Sequence, residues 1–176
     1  MHSANGFAVV ALLLMLTGVG VAHAQGVSGV TTEIHDIGAV DGISGAYAHV
    51  AVIRQYRFGT SPQSARVALR IRVAEPPAVG PRSAVGHIER PDVPLTHRAA
   101  SEVLTFFQTL EGRREPAAEV EFKAGSITFG INLHGARQLL YVAAPSLVVL
   151  FEPAQWQKLI QLLADAEAAI RKLPTR

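Results

Sequence analysis

The chain has no cysteine among its 176 residues. Disulfides, thiolate metal sites, cysteine nucleophiles and lipid attachment through an N-terminal cysteine are therefore excluded, and the fold must rest on its core alone. Aromatic residues are scarce at 6%, with a single Trp, which leaves little material for stacking platforms. The net charge is only +2, so bulk charge selects no partner. A further absence is local: residues 1–24 contain no Lys, Arg, Asp or Glu, run apolar from Phe7 to Ala22 and close on Ala22-His23-Ala24. That apolar run, broken by Thr17, Gly18 and Gly20, is short for a membrane span, which needs roughly 20 residues. The expectation is a secretory leader cut between Ala24 and Gln25, leaving a periplasmic or secreted protein with no stable membrane span. Only the amino group and His2 supply the positive charge usual at the start of such a leader.

Removing residues 1–24 leaves 25–176, the size of one ordinary domain, which buries about 68–70% of its unfolded surface without a covalent staple. Exported proteins of small size often rely on disulfides, so a cysteine-free one of this length fits a bacterial envelope best. The preference for Arg (13) over Lys (3) suits a GC-rich genome and points the same way.

Strand signals dominate both halves. Residues 30–37 are rich in β-branched side chains, and Asp41-Gly42 is a turn signal. Residues 46–58 are strand-like, and after a Gly59-Thr60-Ser61-Pro62 turn Ala65, Val67, Leu69, Ile71 and Val73 alternate with Arg66, Ala68, Arg70 and Arg72. This is period 2 with one apolar and one basic face. Residues 75–92 hold Pro76, Pro77, Pro81 and Pro91 with Gly80 and Gly86, and read as a long exposed loop. Val93 and Leu95 read as a short edge strand hemmed by Pro91 and Pro94. Thr96 then caps a helix whose stripe is Ala100, Val103, Leu104, Phe107 and Leu110, with Gly112 as its stop.

The second half is cleaner. Val120 and Phe122 alternate with Glu119, Glu121 and Lys123, Ala124-Gly125 turns, and Ile127, Phe129, Ile131 and Leu133 alternate with polar or small residues. His134-Gly135 leads into a strand over 138–144, Pro145-Ser146 into another over 147–151, and Glu152-Pro153 opens a final helix. Trp156, Leu159, Ile160, Leu163 and Ile170 line one side of that helix. An offset of 56 residues sets Ala100 on Trp156, Val103 on Leu159, Leu104 on Ile160 and Phe107 on Leu163, with Val93 on Val149 before them. The class read from this pattern is α+β: antiparallel β-meanders, each closed by an amphipathic helix, as two half-repeats (30–112 and 117–173) within one domain. Duplication and a coincidence of pattern both fit the offset.

A meander closed by a helix, used twice, resembles the plan of the Whirly and PUR-type single-strand nucleic-acid-binding domains over residues 30–170. The resemblance lies in the order of elements and carries over no site residue. It implies nucleic-acid binding, which export and the thin aromatic supply of Tyr47, Tyr56 and Phe58 disfavour.

Catalytic signals are weak. His35, His49, His87, His97 and His134 include no pair at ligand spacing, and no cofactor motif appears. His35-Asp36 are strand neighbours and so point to opposite faces, Ser44 sits in a turn, and Glu119 and Glu121 share their face with Lys123. The polar feature with a geometry is arginine. Arg54, Arg57, Arg66, Arg70 and Arg72 fall within 46–73, a stretch without one acid, and a hairpin brings Arg54 or Arg57 beside Arg66, Arg70 and Arg72. Guanidinium forks suit carboxylates and phosphates, so the five residues form the candidate ligand site for an anionic envelope component or an acidic protein. The competing reading is a solvated face balanced by Glu from neighbouring strands. The leading functional expectation is thus a non-enzymatic binding module. The alternatives are an enzyme assembled from dispersed His49, His87, His134 and Glu119, and an assembly component that pairs through a sheet edge.

Overall fold

A computed structural model describes residues 29–57, 65–76, 82–110, 119–134 and 137–174, without the side chains at 119, 133, 134 and 137. The expected leader and cleavage point, and the expected turn at Gly59-Thr60-Ser61-Pro62, lie outside these residues. The first half runs β1 (Val30–Asp41), β2 (Tyr47–Arg57), β3 (Arg66–Ala74), β4 (Ser83–Glu89) and α1 (Val93–Leu110). The second runs β5 (Glu119–Ala124), β6 (Ile127–His134), β7 (Arg137–Ala144), β8 (Leu147–Phe151) and α2 (Pro153–Arg171). Each set of four strands forms one antiparallel sheet in chain order, which is the α+β architecture read from the alternation.

Strand alternation decides which residues enter the core. In β3, Val67, Leu69, Ile71 and Val73 are buried, while Arg66 and Arg72 are exposed and Arg70 is half-buried. In the second sheet Phe122 and Phe129 are cross-strand partners and stack with ring centroids 4.8 Å apart. Each sheet then needs a cover for its apolar face, and the helices supply it by exchange. α1, which follows the first sheet, packs on β5, β6 and β7 of the second, and α2 packs back on β1 and β2 of the first. One core results, joining Val50, Leu69 and Ile71 to Phe129, Leu140 and Trp156.

Trp156 sits fully buried where the helices meet. Its Nε1 donates to the carbonyl of Ala100 at 2.9 Å, and its ring lies edge-on to Phe129 and Phe151 at 6.2 and 6.0 Å. Residues 100 and 156 are the pair that the 56-residue offset superposes. Arg90 adds a second tie: its guanidinium donates to the carbonyls of Ile170, Leu173 and Pro174 at 2.9–3.2 Å, capping the end of α2 from the other half. Beside it, His97 on α1 lies 3.1 Å from the carboxylate of Glu167, which also accepts from Arg171.

Two expectations for 75–95 are corrected. Residues 83–89 are a strand, β4, and Arg90–Asp92 a 3-10 turn, so the long loop is far shorter than expected. Ala84, Gly86 and Ile88 turn inward and alternate with Val85, His87 and Glu89, a period hidden by the glycine and by prolines that all fall outside the strand. Val93 and Leu95 are not a strand but the first turn of α1. Pro94 is tolerated there because a first-turn N–H has no intrahelical acceptor to lose, and Thr96 lies inside the helix with its hydroxyl donating to the Asp92 carbonyl at 2.8 Å. At the other helix, Glu152 and Gln155 form the reciprocal cap that Pro153 follows.

Two turns fasten one sheet to the other. Ser126 N donates to the His87 carbonyl at 3.2 Å, and His87 N donates to Ser126 Oγ at 3.0 Å, so the β5–β6 turn seals the outer edge of β4. Gly125 makes this approach possible: its φ is +57°, and a Cβ there would lie 2.1 Å from the His87 oxygen. In the mirror arrangement, a Cβ on Gly42, after β1, would lie 2.7 Å from the Leu150 oxygen on β8.

Candidate functional site

The outer face of the first sheet, away from the core, can be followed in rows from β1 to β4. One row is Asp36, Ala51, Arg70 and His87; beside it run Ala39, His49, Arg72 and Val85. On the other side lie Ile34, Ile53, Ala68 and Glu89, then Thr32, Gln55 and Arg66. Arg66, Arg70 and Arg72 therefore share this face, and Arg57, two residues beyond Gln55, belongs to it at the end of β2. Arg54 does not. Its β3 partner is the buried Val67, so alternation turns it to the inner face, where its guanidinium donates to Glu33 at 3.0 Å. The hairpin thus brings Arg57, and not Arg54, to the β3 arginines.

The face is not free of acid, because β1 and β4 contribute what residues 46–73 lack. Glu89 receives a two-pronged contact from Arg66, whose Nε lies 3.1 Å away, and this pairing raises the Arg66 pKa above its ordinary value. Asp36 Oδ1 lies 2.8 Å from His49 Nε2. Arg70 and Arg72, in the middle, have no carboxylate within ion-pair distance among the described residues. Their Cα atoms stand about 7 Å apart along the strand. Between these charges Ala51, Ile53 and Ala68 are buried although they point away from the main core.

His87 is the residue that sequence reasoning missed on this face, because the loop expectation hid its strand. It is Arg70's direct partner across β3 and β4. Partial burial of the ring, then the charges of Arg70 and Arg66, push its pKa below the usual imidazole range, with Glu89 pulling weakly the other way. The visible signal was the alternation from Ala84 to Glu89.

Of the dispersed residues of the enzyme reading, His49 and His87 can be placed by their side chains. His49 and His87 share the outer face but have β3 between them and lie one row apart, about 12 Å at the usual strand and residue spacings. The side chains of Glu119 and His134 lie outside the described residues. Glu121, beside Lys123, accepts a hydrogen bond from the Tyr141 hydroxyl at 3.1 Å. His35 and Asp36 do point apart, His35 facing Val52's side of the sheet and Asp36 pairing with His49. Ser44 lies in a 3-10 turn. Among the described residues no three His, Asp or Glu side chains converge on a metal-sized site, and no helix is long and apolar enough to cross a membrane.

A cavity of about 520 Å³ opens on the inner face between β1, β2 and the end of α2. Glu33, His35, Arg54 and Lys172 line it, so Arg54 belongs to this groove. Glu33 also accepts from the Tyr56 hydroxyl at 3.0 Å, which raises the tyrosine's pKa.

No family profile, curated protein or solved structure matches this chain.

Proposed function

We propose that this protein is a non-enzymatic binding module of a bacterial periplasm or the extracellular space, and that the outer face of its first sheet takes a polyanion of the cell envelope. The observation that carries the reading is the pair Arg70 and Arg72, adjacent on the face of an internal strand with no carboxylate partner among the described residues. A guanidinium without a counter-charge is the more available for one from outside. Their spacing of about 7 Å along the strand suits a polymer carrying repeated phosphate, sulfate or carboxylate groups. Arg57 and Arg66 extend the track toward the strand ends, and the apolar middle formed by Ala51, Ile53 and Ala68 leaves no competing acid beneath it.

Retention of the purified protein on immobilised heparin and on phosphatidylglycerol vesicles tests this. The combined Arg66→Ser, Arg70→Ser, Arg72→Ser variant is expected to lose retention while keeping its far-UV circular dichroism. Equal retention of the variant and the parent on both surfaces would remove the reading.

A further inference from the structure

The edges of the two sheets are not treated alike. β4 is hydrogen-bonded at His87 by the turn holding Ser126, and β8 is closely approached at Leu150 by Gly42 of the other half. β5 has no strand beyond it among the described residues, but it has only six residues, with Glu121 and Lys123 directed outward, features that discourage strand addition. β1 is different. It has 12 residues, carries no Lys or Arg, and exposes Val30 at 69% and Ile34 at 56%. Its irregularity at Ile37 leaves residues 30–36 as a regular edge, and among the described residues no strand pairs with it.

We propose that two copies of this chain pair through β1, edge to edge and antiparallel, about a two-fold axis at Ile34. A two-fold axis normal to the sheet keeps each face on its own side, so residues pair with others of their own face. In this register Ile34 meets its copy, burying the exposed side chain, and Glu33 stands opposite His35 of the second copy in both directions. Thr32 then faces Asp36. Moving the axis by one residue either way is worse: at Glu33 it opposes two carboxylates, and at His35 it sets Ile34 against Asp36. The groove lined by Glu33 and His35 leaves the inner side of this edge open beneath α2. The product is a continuous eight-stranded sheet with both arginine faces on the same side. The pairing stands independently of what those faces bind.

The absence of cysteine makes the test direct. Facing residues of an antiparallel pair have Cα atoms about 4.5–5.5 Å apart, within disulfide range. The Ile34→Cys variant is expected to oxidise to a covalent dimer under mild conditions, whereas Val148→Cys, 54% exposed on β8, stays monomeric. Light scattering of the parent is expected to give the dimer mass, and of the Ile34→Lys variant the monomer mass with unchanged circular dichroism. A parent monomeric at millimolar concentration, a dimer that survives Ile34→Lys, or equal cross-linking at both cysteine positions would overturn the proposal.

Discussion

Arg70 and Arg72 should matter to polyanion binding far more than Arg66, although all three share one face. Arg66 is already occupied by Glu89, so an incoming anion must displace that carboxylate and gains little. Arg70 and Arg72 have no such competitor among the described residues. A charge-assisted contact at a solvent-facing site contributes about 1 kcal/mol, so losing both costs about 2 kcal/mol, or about 30-fold in affinity. Neutralising two cations should also flatten the dependence of log K on log salt by nearly two units, by analogy with counterion release from nucleic acid. Arg66→Ser should weaken binding less than about threefold. Calorimetric titration of a heparin oligosaccharide into the parent, the Arg70→Ser/Arg72→Ser variant and Arg66→Ser, at several salt concentrations, measures both quantities. Removing the half-buried Arg70 stem costs about 1 kcal/mol of packing, or about 2–4 °C in Tm, so the comparison is made on folded protein. Losing Arg70 should also let the His87 pKa rise toward its ordinary value, visible by NMR titration. Equal losses for Arg66→Ser and the double variant, or an unaltered salt slope, would refute the argument from carboxylate occupancy.

His87 gives a pH signature with a definite sign. Its folded pKa lies below the unfolded value of about 6.5, so the unfolded chain takes up the proton first as pH falls. Stability should fall as pH drops from about 6.5 toward the folded pKa and then level off, and His87→Gln should flatten that segment of a urea-midpoint profile. A bound anion favours the imidazolium, so affinity for heparin should rise over the same descent in pH. Gly125→Ala should cost at least about 2 kcal/mol, because it combines a left-handed backbone with a methyl pressed on the His87 carbonyl; thermal unfolding should show a drop of about 4–8 °C. Trp156→Phe removes the Ala100 hydrogen bond and part of the ring from a sealed site, and should cost about 2–3 kcal/mol by urea unfolding.

Where side chains alternate without interruption, the fold was legible. β3, β5 and β6 declare themselves because each inward position is apolar and each outward one polar or small, and the stripe of α2 is continuous from Trp156 to Ile170. β4 was lost because punctuation outweighed periodicity: Gly86 is where Ile127 of the other sheet presses in, so a glycine that reads as a break is a close contact. The start of α1 was misread because Pro94 is a breaker in a strand but harmless in a first helical turn. Within the site, β3 was readable from spacing alone. The facing of Arg54 was not, since the pairing register across residues 58–65, which the sequence leaves open, decides which β2 residues stand opposite Arg66. Glu89 and His87 were hidden with their strand. Helix exchange leaves no local trace, because an amphipathic stripe specifies an apolar partner and not which sheet supplies it.

That exchange governs when the molecule can be finished. The first sheet is roofed by the final 19-residue helix, so a chain still missing its tail presents a bare greasy layer and has no way to close it. Neither half should persist alone, yet severed halves should rescue each other when mixed, each lending the lid the other lacks.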